Sequence, residues 1–300
     1  MERTVGFIGL GTMGMPMVTN LAKAGVAVAV YDAQPEAMAR AAALAGVTAA
    51  ASPREVAGRC EVLFTCLPND AIVDQVYRGE AGVVQGVRPG AVTCDCSTVS
   101  PEATAAVHAA LQAQGATHLD TPMLGSQPHA HAGEIFFIVG GEAAAMPRIA
   151  PYLDIMGKMH LHVGPSGTAN RIKLIHNALA GVYYAAGAEA LALCRASGVE
   201  LTTFHEVVCN GGGIAYSNYF VRKVPSIIEG DYAPRFKLAL ELKDLTLAKA
   251  FAEAVNVPTP IMDEVRATYQ EAFDDGHGEE DSSAVNRVIE KRTGLTIGKK

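Results

Sequence analysis

The stretch VGFIGLGTMGMP, residues 5–16, joins a short apolar run to three glycines in the spacing GxGxxG. Gly9 permits a tight turn after a strand, Gly11 lets the backbone approach a pyrophosphate, and Gly14 lets the following helix pack closely on the strand. The amino terminus of that helix attracts phosphate charge. The stretch therefore predicts the strand–turn–helix unit that opens a dinucleotide-binding, Rossmann-type domain.

A second apolar run, 26–31, ends at Asp32, about eighteen residues after the last glycine of the loop. A carboxylate at this distance accepts hydrogen bonds from the adenosine ribose hydroxyls, and it repels a 2′-phosphate. The next residues, Ala33 and Gln34, provide no arginine to hold that phosphate. We therefore predict NAD rather than NADP as the cofactor. The alternative is a glycine-rich turn without a ligand.

Short strand patterns alternate with helix patterns through the first half of the chain, which predicts a doubly wound α/β sheet with parallel strands. The predicted strands are 4–8, 26–31, 62–66, 91–96, 118–120 and 134–139, and the predicted helices are 16–24, 35–45, 101–114 and 143–156. Within the last strand, segment 136–139 could be an antiparallel edge.

The strand pattern stops after Gly164, where an apolar run without proline, 169–196, predicts one long helix. The run is apolar nearly all round, so we expect it to be buried between domains or between subunits. Further helices are predicted at 201–208, 218–229, 238–254 and 260–274, and a polar loop at 274–283. We predict a Rossmann-type sheet domain at 1–164 that binds NAD. The long helix joins it to an all-α domain at 165–300, which serves the substrate and oligomerisation.

The composition restricts the classes of partner. The chain has 300 residues, 49% of them hydrophobic, and a net charge of −7. This acidic balance disfavours nucleic acid and anionic membrane as partners, and an anionic substrate would need a local positive pocket. The sequence shows no signal peptide and no transmembrane pattern, so we expect a cytoplasmic protein. The six cysteines are scattered and predict no disulfide framework.

Two further predicted strands end in segments that could contact a ligand, because open α/β sheets bind ligands beyond the carboxyl ends of their strands. In CLPND, Leu67 and Pro68 could flank the cofactor. In DCSTVSP, Ser97 and Thr98 bring hydroxyls and backbone N–H groups that could hold a carboxylate or a ribose. The alternative for DCSTVSP is simple capping of the next helix.

RIKLIHN places Lys173 at the head of the long apolar run. A buried ammonium is costly unless it is paired or its pKa is lowered. Desolvation by Ile172, Leu174 and Ile175 would lower the pKa of the lysine towards the working pH, as a proton-transfer group requires. Asn177 lies four residues later, on the same helical face. The alternative is a lysine that snorkels from a surface helix.

Four motifs in one order make the chain resemble the β-hydroxyacid dehydrogenase family: GFIGLGTMGMPM, DCSTVSP, GPSGTANRIKLIHN and FKLALELKDLTLA. The resemblance implies an oxidoreductase that transfers hydride between NAD and the hydroxyl carbon of a small 3-hydroxy acid, or reduces the matching semialdehyde. It also implies that Lys173 is the general acid/base and that Asn177 assists it. Lys243 and Thr98 match family positions that contact the cofactor near its nicotinamide end. The alternative for Lys243 is an ion pair with Asp244.

The predicted site residues form three groups. The catalytic residues are Lys173 and Asn177, and the cofactor-binding residues are Gly9, Gly11, Thr12, Met13, Gly14, Asp32, Leu67, Pro68, Thr98 and Lys243. The substrate-binding residues are Ser97, Thr98, Leu124, Gly125, Ser126, Lys173 and Asn177. We predict no metal, because the lysine polarises the substrate oxygen and the cofactor carries out the redox chemistry.

The segment LDTPMLGSQPHAHAGEI departs from the family pattern DAPVSGG. The family serine falls on Leu124, and its two glycines fall on Gly125 and Ser126. Leu124 cannot donate a side-chain hydrogen bond to a substrate carboxylate, although Ser126, Gln127 and backbone N–H groups could replace the contact. We therefore expect a substrate other than 3-hydroxyisobutyrate. Sulfolactaldehyde, succinic semialdehyde and glyoxylate are alternatives, and the form RxKLIxN resembles the sulfolactaldehyde reductases most.

Several histidines have open roles. His176 replaces an asparagine that the family commonly carries; it could approach the pocket or be an ordinary helix histidine. The pairs His129–His131 and His160–His162 have an HxH spacing that could bind a metal if it lay on a strand. Coincidence is the favoured interpretation, because no acidic or cysteine partner lies near in sequence. His129 and His131 could still line the substrate entrance.

Two other functions share this fold, which alone does not fix function. A non-enzymatic dinucleotide sensor would have no reason to keep Lys173 with Asn177, and an imine reductase usually carries a different proton donor at the lysine position. The long apolar helix predicts a homodimer or homotetramer, because a partner subunit would bury it.

Overall fold

The computed structural model describes residues 4–299 of the chain. Its amino-terminal part forms a nine-stranded sheet in the order β3-β2-β1-β4-β5-β6-β8-β7, with β9 beside β8. The strands are β1 (Val5–Ile8), β2 (Val28–Tyr31), β3 (Val47–Ala49), β4 (Val62–Thr65), β5 (Val92–Asp95), β6 (Thr117–Asp120), β7 (Met123–Leu124), β8 (Ile135–Gly140) and β9 (Gly157–Gly164).

Strands β1 to β6 pair in parallel, which confirms the predicted doubly wound sheet. Strand β8 runs antiparallel to β6 and β7, as predicted for segment 136–139. The prediction that this segment lies at an edge is wrong, because β7 and β9 both pair with β8. The sequence did not reveal β9, where histidines interrupt the apolar pattern and Met159 and Leu161 are about half exposed.

Helices cover both faces of the sheet. They are α1 (Gly14–Lys23), α2 (Pro35–Ala42), α3 (Pro53–Arg59), α4 (Asp70–Arg78), α5 (Pro101–Gln112), α6 (Gln127–Ala132) and α7 (Met146–Met156). Successive strand residues point to opposite faces. Phe7 therefore joins the core on one face with Met17 of α1, and Ile8 joins the core on the other face with Val56 of α3 and Val73 of α4.

The second half of the described chain is helical, as predicted. The helices are α8 (Thr168–Ala196), α9 (Leu201–Asn210), α10 (Asn218–Arg222), α11 (Val224–Glu229), α12 (Leu238–Ala254), α13 (Pro260–Ala272) and α14 (Asn286–Thr293). The chain divides into two compact units between Lys173 and Leu174, and the second unit has its own apolar core. No helix among residues 4–299 has the length and apolar character needed to cross a membrane.

Two helical-unit predictions need correction. The single helix predicted over 218–229 is two helices that break at Lys223, because Pro225 has no N–H to continue the hydrogen bonds of α10 and is suited to the first turn of α11. The segment 274–283 is not a plain polar loop. Its Asp281 is fully buried, with both carboxylate oxygens bound by the Lys223 ammonium at 2.6 and 2.7 Å. The ion pair compensates for the cost of burying the carboxylate.

Helix α8 is only partly buried within one chain. Leu174 and Ala188 have no exposed surface, whereas Ile175, Leu179 and Leu193 are 54%, 46% and 69% exposed. One face of α8 therefore packs in the helical core, and the opposite face carries apolar side chains in contact with solvent.

Candidate active site

The glycine loop has the geometry that a dinucleotide-binding turn requires. Gly9 has a φ of +95°, in the region that favours glycine. A Cβ on Gly9 would overlap the carbonyl oxygen of Cys66, and one on Gly14 would overlap the carbonyl oxygen of Gly9. A Cβ on Gly11 would meet no atom within 4 Å, so the backbone there faces open space that a pyrophosphate could approach. Of the neighbouring predicted contacts, Thr12 is exposed and Met13 is half-buried.

Asp32 lies at the end of β2 and is tied to the glycine loop. One carboxylate oxygen accepts a hydrogen bond from the Leu10 amide at 2.6 Å, and the other accepts one from the Gln34 amide at 2.8 Å. These bonds fix the carboxylate beside the turn. Each oxygen has a second lone pair, so the group can also accept a bond from a ribose hydroxyl.

Asp95, the last residue of β5, organises the next strand end. It accepts hydrogen bonds from the Thr65 hydroxyl at 2.8 Å and from the Ser97 hydroxyl at 2.5 Å. The Ser97 hydroxyl in turn accepts a bond from the Leu67 amide at 2.8 Å, so both its donor and an acceptor site are used within the chain. Burial raises the pKa of Asp95, although the bonds from Ser97 and Thr65 oppose this. Of the neighbouring predicted contacts, Thr98 is half-buried and Pro68 is exposed.

The segment that departs from the family pattern, residues 119–135, includes the end of strand β7 and the short helix α6. Leu124 ends β7, Gly125 has a φ of +136°, and Ser126 caps α6. The Ser126 amide donates to Nδ1 of His129 at 3.1 Å, and its hydroxyl lies 3.0 Å from the same nitrogen. Ser126 is therefore engaged with His129, whereas Leu124 offers only apolar contact.

One HxH pair lies on a helix and the other on a strand. His129 and His131 lie on helix α6, where residues two apart face different directions. On β9, His160 pairs with Asp154 at 3.1 Å, and Nε2 of His162 donates to the carbonyl oxygen of Gly141 at 2.8 Å. The described part of the chain contains no group of three or more His, Cys, Asp or Glu side chains that could hold a metal.

The buried carboxylate of Asp120 binds the first turn of helix α8 to the sheet. Asp120, the last residue of β6, accepts hydrogen bonds from the amides of Gly167 at 2.8 Å and Asn170 at 3.0 Å. The Asn170 side chain donates to Thr104 of α5 at 2.9 Å. A carboxylate at the amino end of a helix satisfies free N–H groups and complements the helix dipole. The first turn of α8 is thereby fixed to the carboxyl end of β6.

Lys173 follows one turn after Asn170 and is partly buried. Of its three apolar neighbours, Leu174 is fully buried, whereas Ile172 and Ile175 are 38% and 54% exposed. Two of the three neighbours that the sequence predicts to desolvate the lysine are therefore partly exposed within one chain.

Asp244 bridges Asn177 and Lys243, a role that the sequence did not indicate. Asp244 of α12 accepts a hydrogen bond from the Asn177 amide at 2.5 Å, and its other oxygen lies 2.9 Å from the Lys243 ammonium. Asn177 and Asp244 are 5% and 2% exposed. The predicted alternative for Lys243, an ion pair with Asp244, is thus present. The same carboxylate orients the Asn177 amide.

Cys66, whose backbone lies beside Gly9, has no sign of activation. Cys66 follows β4, and burial raises the pKa of its thiol to about 12. The thiol therefore stays protonated at neutral pH and is a poor nucleophile.

Two family models cover most of the chain. Residues 4–164 match the NAD binding domain of 6-phosphogluconate dehydrogenase, and residues 167–289 match a domain described as NAD-binding of NADP-dependent 3-hydroxyisobutyrate dehydrogenase.

Relatives with assigned activities match over nearly their whole length. A 2-(hydroxymethyl)glutarate dehydrogenase of Eubacterium barkeri is 35% identical over 99% of this chain and 99% of its own. A 3-sulfolactaldehyde reductase of Escherichia coli is 34% identical over 97% of each chain. Among solved structures, a Mycobacterium tuberculosis 3-hydroxyisobutyrate dehydrogenase with L-serine is 30% identical, with a TM-score of 0.86 over 96% of this chain and 99% of that one.

Proposed function

The chain belongs to the β-hydroxyacid dehydrogenase family, and from this premise we propose that Lys173 exchanges a proton with the substrate oxygen. The protein is a nicotinamide-dependent oxidoreductase that acts on the CH–OH group of a small hydroxy acid or on the matching aldehyde. Lys173 transfers the proton and Asn177 assists it, whereas the cofactor would transfer the hydride.

The anchoring of α8 by Asp120 is the observation that supports this role most. Asp120 pairs in register with Asp95 on the neighbouring strand, and strands lie about 4.8 Å apart. The carboxyl edge that carries the glycine loop and Ser97 therefore also carries the start of the helix that bears Lys173. Ligands of open α/β sheets bind at this edge.

The reaction divides between the cofactor and the chain. The nicotinamide, when bound, would supply the redox chemistry as a hydride acceptor or donor. In oxidation, the neutral amine of Lys173 accepts the hydroxyl proton while the C–H electron pair leaves with hydrogen as hydride. In reduction, the ammonium donates the proton to the carbonyl oxygen. Asn177, held by Asp244, orients the substrate oxygen one helical turn from the lysine. Thr98 and Lys243 hold the nicotinamide end of the cofactor in this proposal.

The residues of the glycine loop fit a dinucleotide, because Gly11 leaves open space and Asp32 is held beside it. We propose NAD over NADP, since Asp32 would repel a 2′-phosphate.

Replacing Asp32 tests the cofactor preference. Asp32→Ala should lower kcat/KM for NAD by about 10- to 100-fold, because a charge-assisted hydrogen bond contributes about 1.5–3 kcal/mol. The value for NADP should stay the same or rise, because the substitution removes the charge that repels the 2′-phosphate, so the ratio of the two changes. The matched control Asp74→Ala removes an exposed acid from α4 and should leave the ratio unaltered. Initial rates with both cofactors measure the effect, and a wild-type preference for NADP would refute the assignment.

The substrate is proposed to differ from 3-hydroxyisobutyrate, because Leu124 offers no hydrogen bond to a carboxylate. Sulfolactaldehyde, succinic semialdehyde and glyoxylate, or their alcohols, are the alternatives. A panel of hydroxy acids and aldehydes, including sulfonates, followed by nicotinamide absorbance would decide among them. A clear preference for 3-hydroxyisobutyrate would contradict the interpretation of Leu124.

We propose that the protein is a cytoplasmic homodimer or homotetramer. The exposed apolar residues of α8, among them Ile175 and Leu193, favour burial by a second copy. Light scattering at micromolar concentration should give two or four chain masses. A mass of 31.3 kDa, that of one chain, would rule out the oligomer.

A further inference from the structure

The side chain of Asn177, on helix α8, has a hydrogen-bond partner at each end of its amide group. The amide nitrogen donates to Oδ2 of Asp244 at 2.5 Å, and the carbonyl oxygen lies 3.0 Å from Nδ1 of His176. Asn177 is 5% exposed, whereas the imidazole of His176 lies at the surface and covers the amide oxygen. All three residues belong to the helical unit, so the arrangement lies within one compact part of the chain.

The carboxylate of Asp244 decides which end of the amide points towards it. Its Oδ1 lies 2.9 Å from the Lys243 ammonium, which balances its charge. An ionised carboxylate only accepts hydrogen bonds, so Asn177 must present its nitrogen. Turning the amide by 180° would place its carbonyl oxygen against a negatively charged oxygen. The carbonyl oxygen of Asn177 is therefore directed to His176.

This orientation determines where His176 carries its proton. A carbonyl oxygen can only accept, so Nδ1 of His176 must be the donor. An imidazole with its proton on Nε2 alone would instead present a lone pair to the carbonyl oxygen, and the two would repel each other. With the proton on Nδ1, His176 and Asp244 both select the same orientation of the Asn177 amide.

The fixed amide retains one donor for a ligand. Its nitrogen has two N–H groups, and the bond to Asp244 uses one of them. Among residues 4–299, no other group accepts a hydrogen bond from this nitrogen. A buried N–H without an acceptor is costly, whereas a carbonyl oxygen with one hydrogen bond is satisfied. The second N–H of Asn177 therefore needs an acceptor from outside the chain.

We propose that His176 is a positioning residue, which together with Asp244 fixes Asn177 so that its second N–H donates to the substrate oxygen. The inference rests on the proposed function, which brings that oxygen to Lys173 and Asn177. A donor at this point stabilises the negative charge that develops on the oxygen during hydride transfer. It also leaves the hydroxyl proton to Lys173, because Asn177 does not compete for it.

Two substitutions of His176 differ in where they place an N–H group. The amide nitrogen of asparagine can take the place of Nδ1, whereas that of glutamine takes the place of Nε2. His176→Asn should retain the wild-type kcat. His176→Gln should lower kcat about 2- to 10-fold, with a smaller change in KM, because one positioning hydrogen bond is lost. The control His277→Gln changes a histidine of the same unit that contacts Glu280 and should alter neither value. Equal kcat values for the two His176 variants would overturn the inference.

Exchanging the polarity of the buried pair tests the donor role. The double variant Asn177→Asp with Asp244→Asn can keep an N–H···O bond between the two positions, but position 177 then offers only acceptors. Its kcat should stay about 100-fold or more below wild type, as expected for the loss of a donor to a developing oxyanion. Asp244→Asn alone keeps the donor and should lose less. Circular dichroism shows whether each variant is folded, and a double variant within a few-fold of wild type would refute the donor role.

The position of the imidazole proton can be observed without turnover. Two-bond proton–nitrogen correlation spectra of the full-length protein, with nitrogen-labelled histidine, distinguish protonated from unprotonated Nδ1. The signals of His176 are those that disappear in His176→Asn. We expect a proton on Nδ1, and an Nδ1 without a proton would contradict the inference. If no hydroxy acid in the panel were oxidised, the proposed function would fail, whereas a proton on Nδ1 would still support the positioning of Asn177 by His176.

Discussion

Lys173→Met is expected to lower kcat by about 10³-fold, since general acid/base catalysis contributes about 10²- to 10⁴-fold. Methionine keeps the length of the side chain but has no titratable group. The dissociation constant for NADH should not change, because the glycine loop and Asp32 are untouched. Steady-state rates and calorimetry on the same preparation measure the two effects. Loss of kcat with cofactor binding retained indicates that the lysine acts in the chemical step.

Two further variants of Lys173 distinguish the loss of proton transfer from the loss of positive charge. Lys173→Arg keeps a positive charge but cannot release its proton at neutral pH, so it should be nearly as slow as the methionine variant. Lys173→Ala should regain activity when small primary amines are added, with the gain depending on amine pKa. The matched control Arg171→Met removes a cation from the same helix and should retain turnover. Activity of Lys173→Met within a few-fold of wild type would remove Lys173 from this role.

Lys223→Met is expected to destabilise the helical unit by about 3–5 kcal/mol, because it leaves a buried carboxylate without its counter-ion. Asp281 also accepts bonds from the Ser283 amide and hydroxyl and from the Phe236 amide, so it connects separate segments of the chain. Urea unfolding followed by circular dichroism measures the change. The control Lys299→Met breaks an exposed pair with Glu229 and should have little effect.

The stabilisation by the Lys223–Asp281 ion pair depends on pH with a definite sign. Burial raises the pKa of Asp281, but the Lys223 ammonium and the hydrogen bonds from Ser283 outweigh it and hold the pKa below the ordinary value of 3.8. The pair therefore stabilises the fold above that value and loses its contribution as the pH falls through the lower folded-state pKa. The stability difference between wild type and Lys223→Met should be constant near neutrality and shrink in acid. A difference that grows in acid would contradict the assignment. Adding Asp281→Asn to the variant should restore part of the stability.

Much of the fold could be predicted because its signals are local. The GxGxxG loop with its flanking strand and helix is specified within a dozen residues, and α12 has the bounds that its sequence predicts. The burial of Asp281 has no such local signal. Asp281 is buried through Lys223, 58 positions away in the chain, and a local pattern cannot report such a partner.

The candidate site shows the same difference between local signals and partners that are distant in the chain. Asp32 was found because its spacing from the glycines is fixed by the strand–helix–strand unit. Asp120 and Asp244 act through partners that only the folded chain brings together, the amides that open α8 and the amide of Asn177. Their positions at a strand end and beside a lysine were visible in the sequence, but the groups they hold were not. The exposure of Ile175 likewise depends on packing, which residue type does not reveal.

Transfer of a labelled hydrogen tests the central claim most directly. The best hydroxy acid of the panel, carrying deuterium on its hydroxyl carbon, is oxidised with NAD, and the NADH formed is analysed by mass spectrometry. We predict one deuterium per NADH, with formation slowed to near background in Lys173→Met. Unlabelled NADH, or a wild-type enzyme that oxidises no hydroxy acid but reduces cyclic imines, would contradict hydride transfer between the nicotinamide and a hydroxyl-bearing carbon.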